Sequence, residues 1–282
     1  MGPAKLPADA RIGRVRLRVA DLERELDFYR RALGFEAVAD GSSAAALAPP
    51  GGRTLVELVE DRRAPSRPPR TAGLFHYALL VPTRRDLARA LLRLRDTGAR
   101  LHGFADHAVS EAIYLADPEG NGIEVCADRP RDQWTREGDE VRMTTDPLDL
   151  GALLAVAGTA GSHGLPAATV VGHVHLETSD LGASEAFYAR DVGLDVTVRS
   201  YPGARFLSTG GYHHHVAVNA WNGARGLGPA GARGLVDYEI TVPGREAREA
   251  LAGRLGGRAD PSGIGIRIAA EEGGGHGDRA SS

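Results

Sequence analysis

The side chains best suited to chemistry in this chain are its histidines. Five of the ten, His173, His175, His213, His214 and His215, crowd into residues 173–215 of a 282-residue sequence. A neutral imidazole is the commonest metal ligand among side chains, and so dense a group has few purely structural explanations. If residues 213–219 form a strand, His213 and His215 lie on one face, and His214 joins Val216 and Val218 on the other. Alternation alone leaves open which face looks inward. His214 is taken as the metal partner of His173, with His215 close behind for that place and also a candidate catalytic residue. Taken singly, each of the three could equally cap a strand end or meet solvent. The single cysteine, Cys126, excludes an internal disulfide and a cysteine-rich metal cage, and reads as an apolar filler in a strand.

These histidines need a scaffold, and the sequence contains one twice. Residues 12–34 (IGRVRLRVADLERELDFYRRALG) return as 171–193 (VGHVHLETSDLGASEAFYARDVG), with Arg14 and Arg16 in the first copy where the second carries His173 and His175. Apolar alternation over 11–19 predicts a strand. Asp21 then caps a helix whose stripe, Leu22, Leu26, Phe28, Tyr29 and Leu33, stops at Gly34; Asp180 and Gly193 play the same parts in the second copy. Short strands follow, over 55–59 and 213–219. A weaker repeat joins GLFHYALLVPTRRDLARALLRL, from Gly73, to GLVDYEITVPGREAREALAGRL, from Gly234, and each is followed by an Asp-Pro turn and a strand, ADPEGNGIEV and ADPSGIGIRI. The chain is therefore expected to hold four βαββ modules of an α+β fold. The expected division is 10–130 for the first pair, 131–168 for a linker, 169–270 for the second pair and 271–282 for a disordered tail.

The quoted segments GLFHYALLVPTRRDLAR, DHAVSEAIYLADPEGNGIEV, DPLDL, GHVHL and GGYHHHVAVNAW resemble the vicinal oxygen chelate superfamily, in particular its catechol-2,3-dioxygenase-like bacterial members. The resemblance implies tandem modules paired into two cup-shaped, barrel-like domains, each able to hold a divalent metal. In the extradiol pattern the ligands are a His on one module's first strand, a His on the next module's first strand and a Glu on that module's last strand. In the N-terminal pair these positions fall on Arg14, His76 and Glu124; in the C-terminal pair they fall on His173, Asp237 and Arg267. Arginine has no lone pair for a metal, so each triad is expected to be broken at one position or more. Glu57 is a further candidate ligand by analogy with glyoxalase-like members. His107 and Tyr238 are candidates for proton transfer, and Tyr212 and Trp221 for aromatic walls.

The resemblance further implies an Fe(II)-dependent, or less often Mn(II)-dependent, ring-cleaving dioxygenase acting on a catechol-like aromatic diol and dioxygen, with a glyoxalase-like isomerase, a thiol transferase or a non-catalytic binding protein as alternatives. It also leaves room for a homo-oligomer. A formal charge of −3 with mixed signs gives no field that favours nucleic acid or an anionic membrane. No apolar run approaches the roughly 20 residues that span a bilayer, and the start lacks the apolar core of a secretory signal, so a cytoplasmic location is expected.

Overall fold

The computed structural model describes residues 4–39, 41, 43–158 and 164–270. A first unit comprises β1 (Arg11–Val19), α1 (Leu22–Phe28) with a wider π-type turn over Tyr29–Leu33, β2 (Glu36–Ala39), β3 (Ala44–Ala48) and β4 (Val56–Glu60). A second comprises β5 (Gly73–Leu80), α2 (Arg84–Asp96), β6 (Leu101–Asp106), β7 (Ser110–Ala116) and β8 (Gly122–Asp128). The segment between the halves carries the ribbon β9 (Arg136–Glu137) and β10 (Glu140–Val141), then α3 (Leu150–Leu154). The third unit holds β11 (Val170–Glu177), α4 (Leu181–Ala186) with a π-type turn over Phe187–Val192, β12 (Asp195–Val198), β13 (Ala204–Ser208) and β14 (Val216–Asn219). The fourth is shorter, with β15 (Gly234–Thr241), α5 (Arg245–Leu255) and β16 (Gly265–Ala269); residues 256–264 leave no room for the two middle strands of its siblings.

Local chemistry explains the repeated start. Asp21 accepts from the Arg24 amide at 3.0 Å and Asp180 from the Ala183 amide at 2.9 Å, so both helices are capped as expected. Gly34 and Gly193 close them with left-handed φ of 72° and 94°, conformations that cost other residues strain. Alternation in β1 and β11 is broken once, by a register slip between Ile12 and Val15 and between Val171 and His173. Beyond the slip, Val174 and Leu176 enter the core while His173 and His175 share the other face.

The expected pairing joins the first unit to the second and the third to the fourth. The strands pair across the halves instead. An eight-stranded sheet runs β12-β13-β14-β11-β5-β8-β7-β6, from the second and third units, and a six-stranded sheet runs β16-β15-β1-β4-β3-β2, from the first and fourth. Charge accounts for the choice. The polar face of β1 carries Arg14, Arg16 and Arg18, and β15 offers Asp237 and Glu239, with Arg16 directly opposite Asp237. Oppositely charged cross-strand neighbours stabilise a sheet, whereas β5 offers β1 only His76 and Ala78 at those places. Both sheets are open, and one continuous apolar core, including Val15, Leu17, Tyr77, Leu79, Val174 and Leu176, runs behind both.

Candidate metal centre

Pairing of β5 with β11 brings together three donors that the expected arrangement kept in separate cups. His173 lies opposite Ala78, and Ala78 opposite Glu124, so one row crosses three strands with a methyl group at its centre. His76 stands two residues along β5 from Ala78, opposite His175. The His76 Nε2 lies 3.0 Å from Glu124 Oε2 and 3.2 Å from His173 Nε2, and His173 Nε2 lies 3.5 Å from the same Glu124 oxygen. All three side chains are buried.

This donor set fits a divalent cation. Ligand atoms about 2.1 Å from a metal on one octahedral face lie about 3 Å apart, close to the three distances seen, and two imidazoles with one carboxylate match the facial arrangement of non-haem iron. Protonation suits it too. Burial pushes the His76 pKa down, despite the opposing pull of Glu124, which favours the neutral, ligating imidazole. Burial alone would raise Glu124, but the neighbouring His173 and His76 outweigh it and hold the carboxyl well below its usual range.

The triad lies in a cavity of about 510 Å³. Phe75, Tyr201, Phe206 and Trp221 contribute aromatic surface, and Met143, Thr144 and Thr145 come from the segment expected to be a linker. His107 is on the wall, with its Nδ1 donating to the Thr144 carbonyl at 2.6 Å, which leaves Nε2 to accept the Tyr114 hydroxyl at 2.6 Å. His175 is buried there as well, its Nε2 3.0 Å from the Asn219 amide nitrogen, and burial keeps its pKa well below the ordinary value. His102, on β6, also reaches the cavity.

Other candidates go elsewhere. Residues 213–215 precede β14 instead of lying within it, so strand alternation does not apply to them. His214 lines the cavity with its ring 4.0 Å from that of His173 but does not join the three converging donors. His215 turns outward to Ser208 Oγ at 2.8 Å, in a small gap beneath Leu6 and Ala10, and burial beside His213 pushes its pKa down to about 3. Asp237 lies in the other sheet, 2.7 Å from Arg267 Nε. Tyr238 is fully buried, with its hydroxyl on Tyr188, whose own hydroxyl donates to Asp260. Trp221 is a wall residue as expected, whereas Tyr212 packs on His213 away from the cavity. His163, His276 and the expected tail lie outside the described residues.

The six-stranded sheet repeats the frame with different occupants. Its row reads Arg14, Glu239, Arg267 where the other reads His173, Ala78, Glu124, and Asp237 stands for His76. Glu57 adds a third carboxylate, paired with Arg14 and Arg16 at 2.9 Å and with Arg267 at 3.1 Å. Three guanidinium groups and three carboxylates thus neutralise one another there, which is the ion-pair role for Arg14 and removes Glu57 from the ligand candidates. Met143 to Thr145, Tyr114 and Asn219 are site residues that sequence reasoning missed. The ten-residue spacing of Tyr114 from Glu124 on adjoining strands was the one local signal for any of them.

Comparison with known proteins agrees with this geometry. The sequence pattern of the glyoxalase/bleomycin resistance protein/dioxygenase superfamily matches residues 11–125. A catechol-2,3-dioxygenase of Bacillus subtilis is 43% identical over 253 residues, covering 88% of each chain. A biphenyl-2,3-diol 1,2-dioxygenase of Rhodococcus globerulus is 37% identical over 84 residues, 30% of this chain and 39% of that one. Among solved structures, one from Bacillus subtilis superposes with a TM-score of 0.63 at 13% identity, covering 95% of this chain and 87% of that one. Glyoxalase I of Zea mays gives 0.54 at 14% identity, covering 92% of each.

Proposed function

The chain belongs to the glyoxalase/bleomycin resistance protein/dioxygenase superfamily, and from that premise we propose that it is an extradiol-type dioxygenase that cleaves the ring of a catechol-like aromatic diol. The observation that carries the reading is the buried convergence of His76, His173 and Glu124 on the wall of an aromatic cavity. These three residues would hold the cation. Fe(II), or Mn(II) in its place, supplies chelation of two vicinal oxygens and activation of dioxygen when bound.

The remaining residues have separable tasks. Phe75, Tyr201, Phe206 and Trp221 offer faces and edges to a planar ring and exclude water from it. Tyr114 keeps its hydroxyl proton, because burial beside the Glu124 charge raises its pKa well above the usual value, and it passes that hydrogen bond to His107. His214, which burial beside His173 keeps neutral, stands on the wall as a proton acceptor for a substrate hydroxyl. Aromatic diol and dioxygen are the implied substrates, and the cytoplasm is the implied location. No helix among the described residues is long and apolar enough to cross a membrane.

The test is anaerobic reconstitution with Fe(II) followed by oxygen uptake on adding catechol. Uptake by the wild type is expected, with metal retention lost to a similar degree in His76→Ala, His173→Ala and Glu124→Ala, since all three serve one centre. A protein that retains no metal, or that takes up no oxygen with catechol, overturns the reading.

A further inference from the structure

We propose that Asp128 and His213 are positioning residues that dictate which nitrogen of His214 carries its proton, presenting Nε2 of His214 to the cavity as a bare acceptor. The proposal rests on the dioxygenase reading for its kinetic consequence, but not for its structural one.

The inference follows from hydrogen-bond direction. Asp128 closes β8, and its carboxylate can only accept. Its Oδ1 lies 3.1 Å from His213 Nε2, so that nitrogen donates. A neutral imidazole holds one ring hydrogen, which leaves His213 Nδ1 bare. That atom lies 2.7 Å from Nδ1 of His214, and the single hydrogen between them must therefore belong to His214. With Nδ1 protonated, the neutral His214 ring has an unprotonated Nε2 on its opposite edge. His213 is held in place, 1% exposed, with the rings of Tyr212 and Trp134 centred 4.0 and 5.2 Å away.

Among the described residues, the Nε2 of each other buried histidine of the cavity already faces a partner. His107 Nε2 is occupied by Tyr114, His175 Nε2 by Asn219, and the Nε2 atoms of His76 and His173 face Glu124. His214 can thus take the proton of a substrate hydroxyl: the O–H bond breaks, an N–H bond forms at Nε2, and the oxygen keeps the electron pair. The resulting imidazolium has His213 and then the Asp128 carboxylate behind it, the same logic by which a carboxylate orients a catalytic imidazole elsewhere.

Two readouts test this. In ¹⁵N-labelled protein without metal and with Zn(II), the wild type should show the Nδ1–H form of His214, and Asp128→Asn should convert it to a mixture or to the Nε2–H form. In the Fe(II) enzyme, Asp128→Asn should lower kcat for catechol by about 10²-fold, as expected for a misdirected general base, with KM and metal content kept and most activity restored by Asp128→Glu. His213→Gln should shift the same resonance. An unchanged His214 tautomer in both variants overturns the proposal, as does a fall in activity that merely follows loss of metal. A wild type that takes up no oxygen overturns the dioxygenase reading alone, and the resonance assignment then decides this one.

Discussion

Ala78 and Glu239 occupy equivalent places in the two sheets, and the difference between a methyl group and a carboxylate separates a ligand set from an ion-pair lattice. Ala78 leaves open the space on which His173, Glu124 and His76 converge. Ala78→Leu should fill that space, so that metal retention falls by an order of magnitude or more while the far-ultraviolet circular dichroism stays unchanged. Retention at the wild-type level would show that the cation binds elsewhere. Asp260 illustrates a second residue-level effect. Burial raises its pKa to about 6, against the opposing hydrogen bonds from Tyr188 and the Ile264 and Ser262 amides. The folded chain therefore holds that proton more tightly than the unfolded one, where an Asp titrates near ~3.9. Its contribution to stability is full below the unfolded value and lost as pH rises through about 6. Asp260→Asn should shrink the difference in denaturant midpoint between pH 4 and pH 7. At this scale the sequence was legible one residue at a time: His76, Glu124 and His173 each stood in a recognisable motif. The tautomers were not, because they depend on what faces each nitrogen.

Elements decide what the cavity admits. Its walls come from β5, from the turns before and after β14, and from the segment 143–145 between the halves. That segment looked like a connection because it lacks periodicity, and only its tertiary position makes it a wall. Among the described residues no Lys or Arg side chain lines the cavity, and about 510 Å³ far exceeds the ~150 Å³ that suffices for one benzene ring. A catechol carrying a neutral apolar substituent should therefore be turned over with a higher kcat/KM than 3,4-dihydroxybenzoate, by at least about tenfold, since a carboxylate left without a partner in such a lining is costly. Comparable values for the two in an oxygen-uptake assay would refute this. The helices and their caps were legible because Asp and Gly act through the adjacent backbone. The register slips in β1 and β11, which turn His173 and His175 to one face, were not, because they arise from pairing with a second strand.

At the scale of the whole molecule, repetition showed that four units exist but could not say which joins which. Four first strands of one pattern are interchangeable by periodicity, and the choice falls to the charges of Arg14, Arg16, Asp237 and Glu239. The apparent defects at Arg14 and Arg267 belong to a sheet separate from the donors, so they do not touch the site. Arg267 bridges Glu57, Asp237 and Glu239 while about a quarter exposed. Arg267→Ala should cost about 1–3 kcal/mol in unfolding free energy, less than for a fully buried pair because water screens it. Oxygen uptake by the surviving folded enzyme should be unchanged; a parallel loss of kcat would mean that the two sheets are coupled. The union of β5 with β11 also has a temporal side. His76 and His173 stand 97 positions apart in the chain, so during synthesis Glu124 and His76 leave the ribosome well before the third donor exists. Cation capture must then come late in maturation, after the nascent polypeptide has closed a long loop, and it marks the moment at which both halves have found each other.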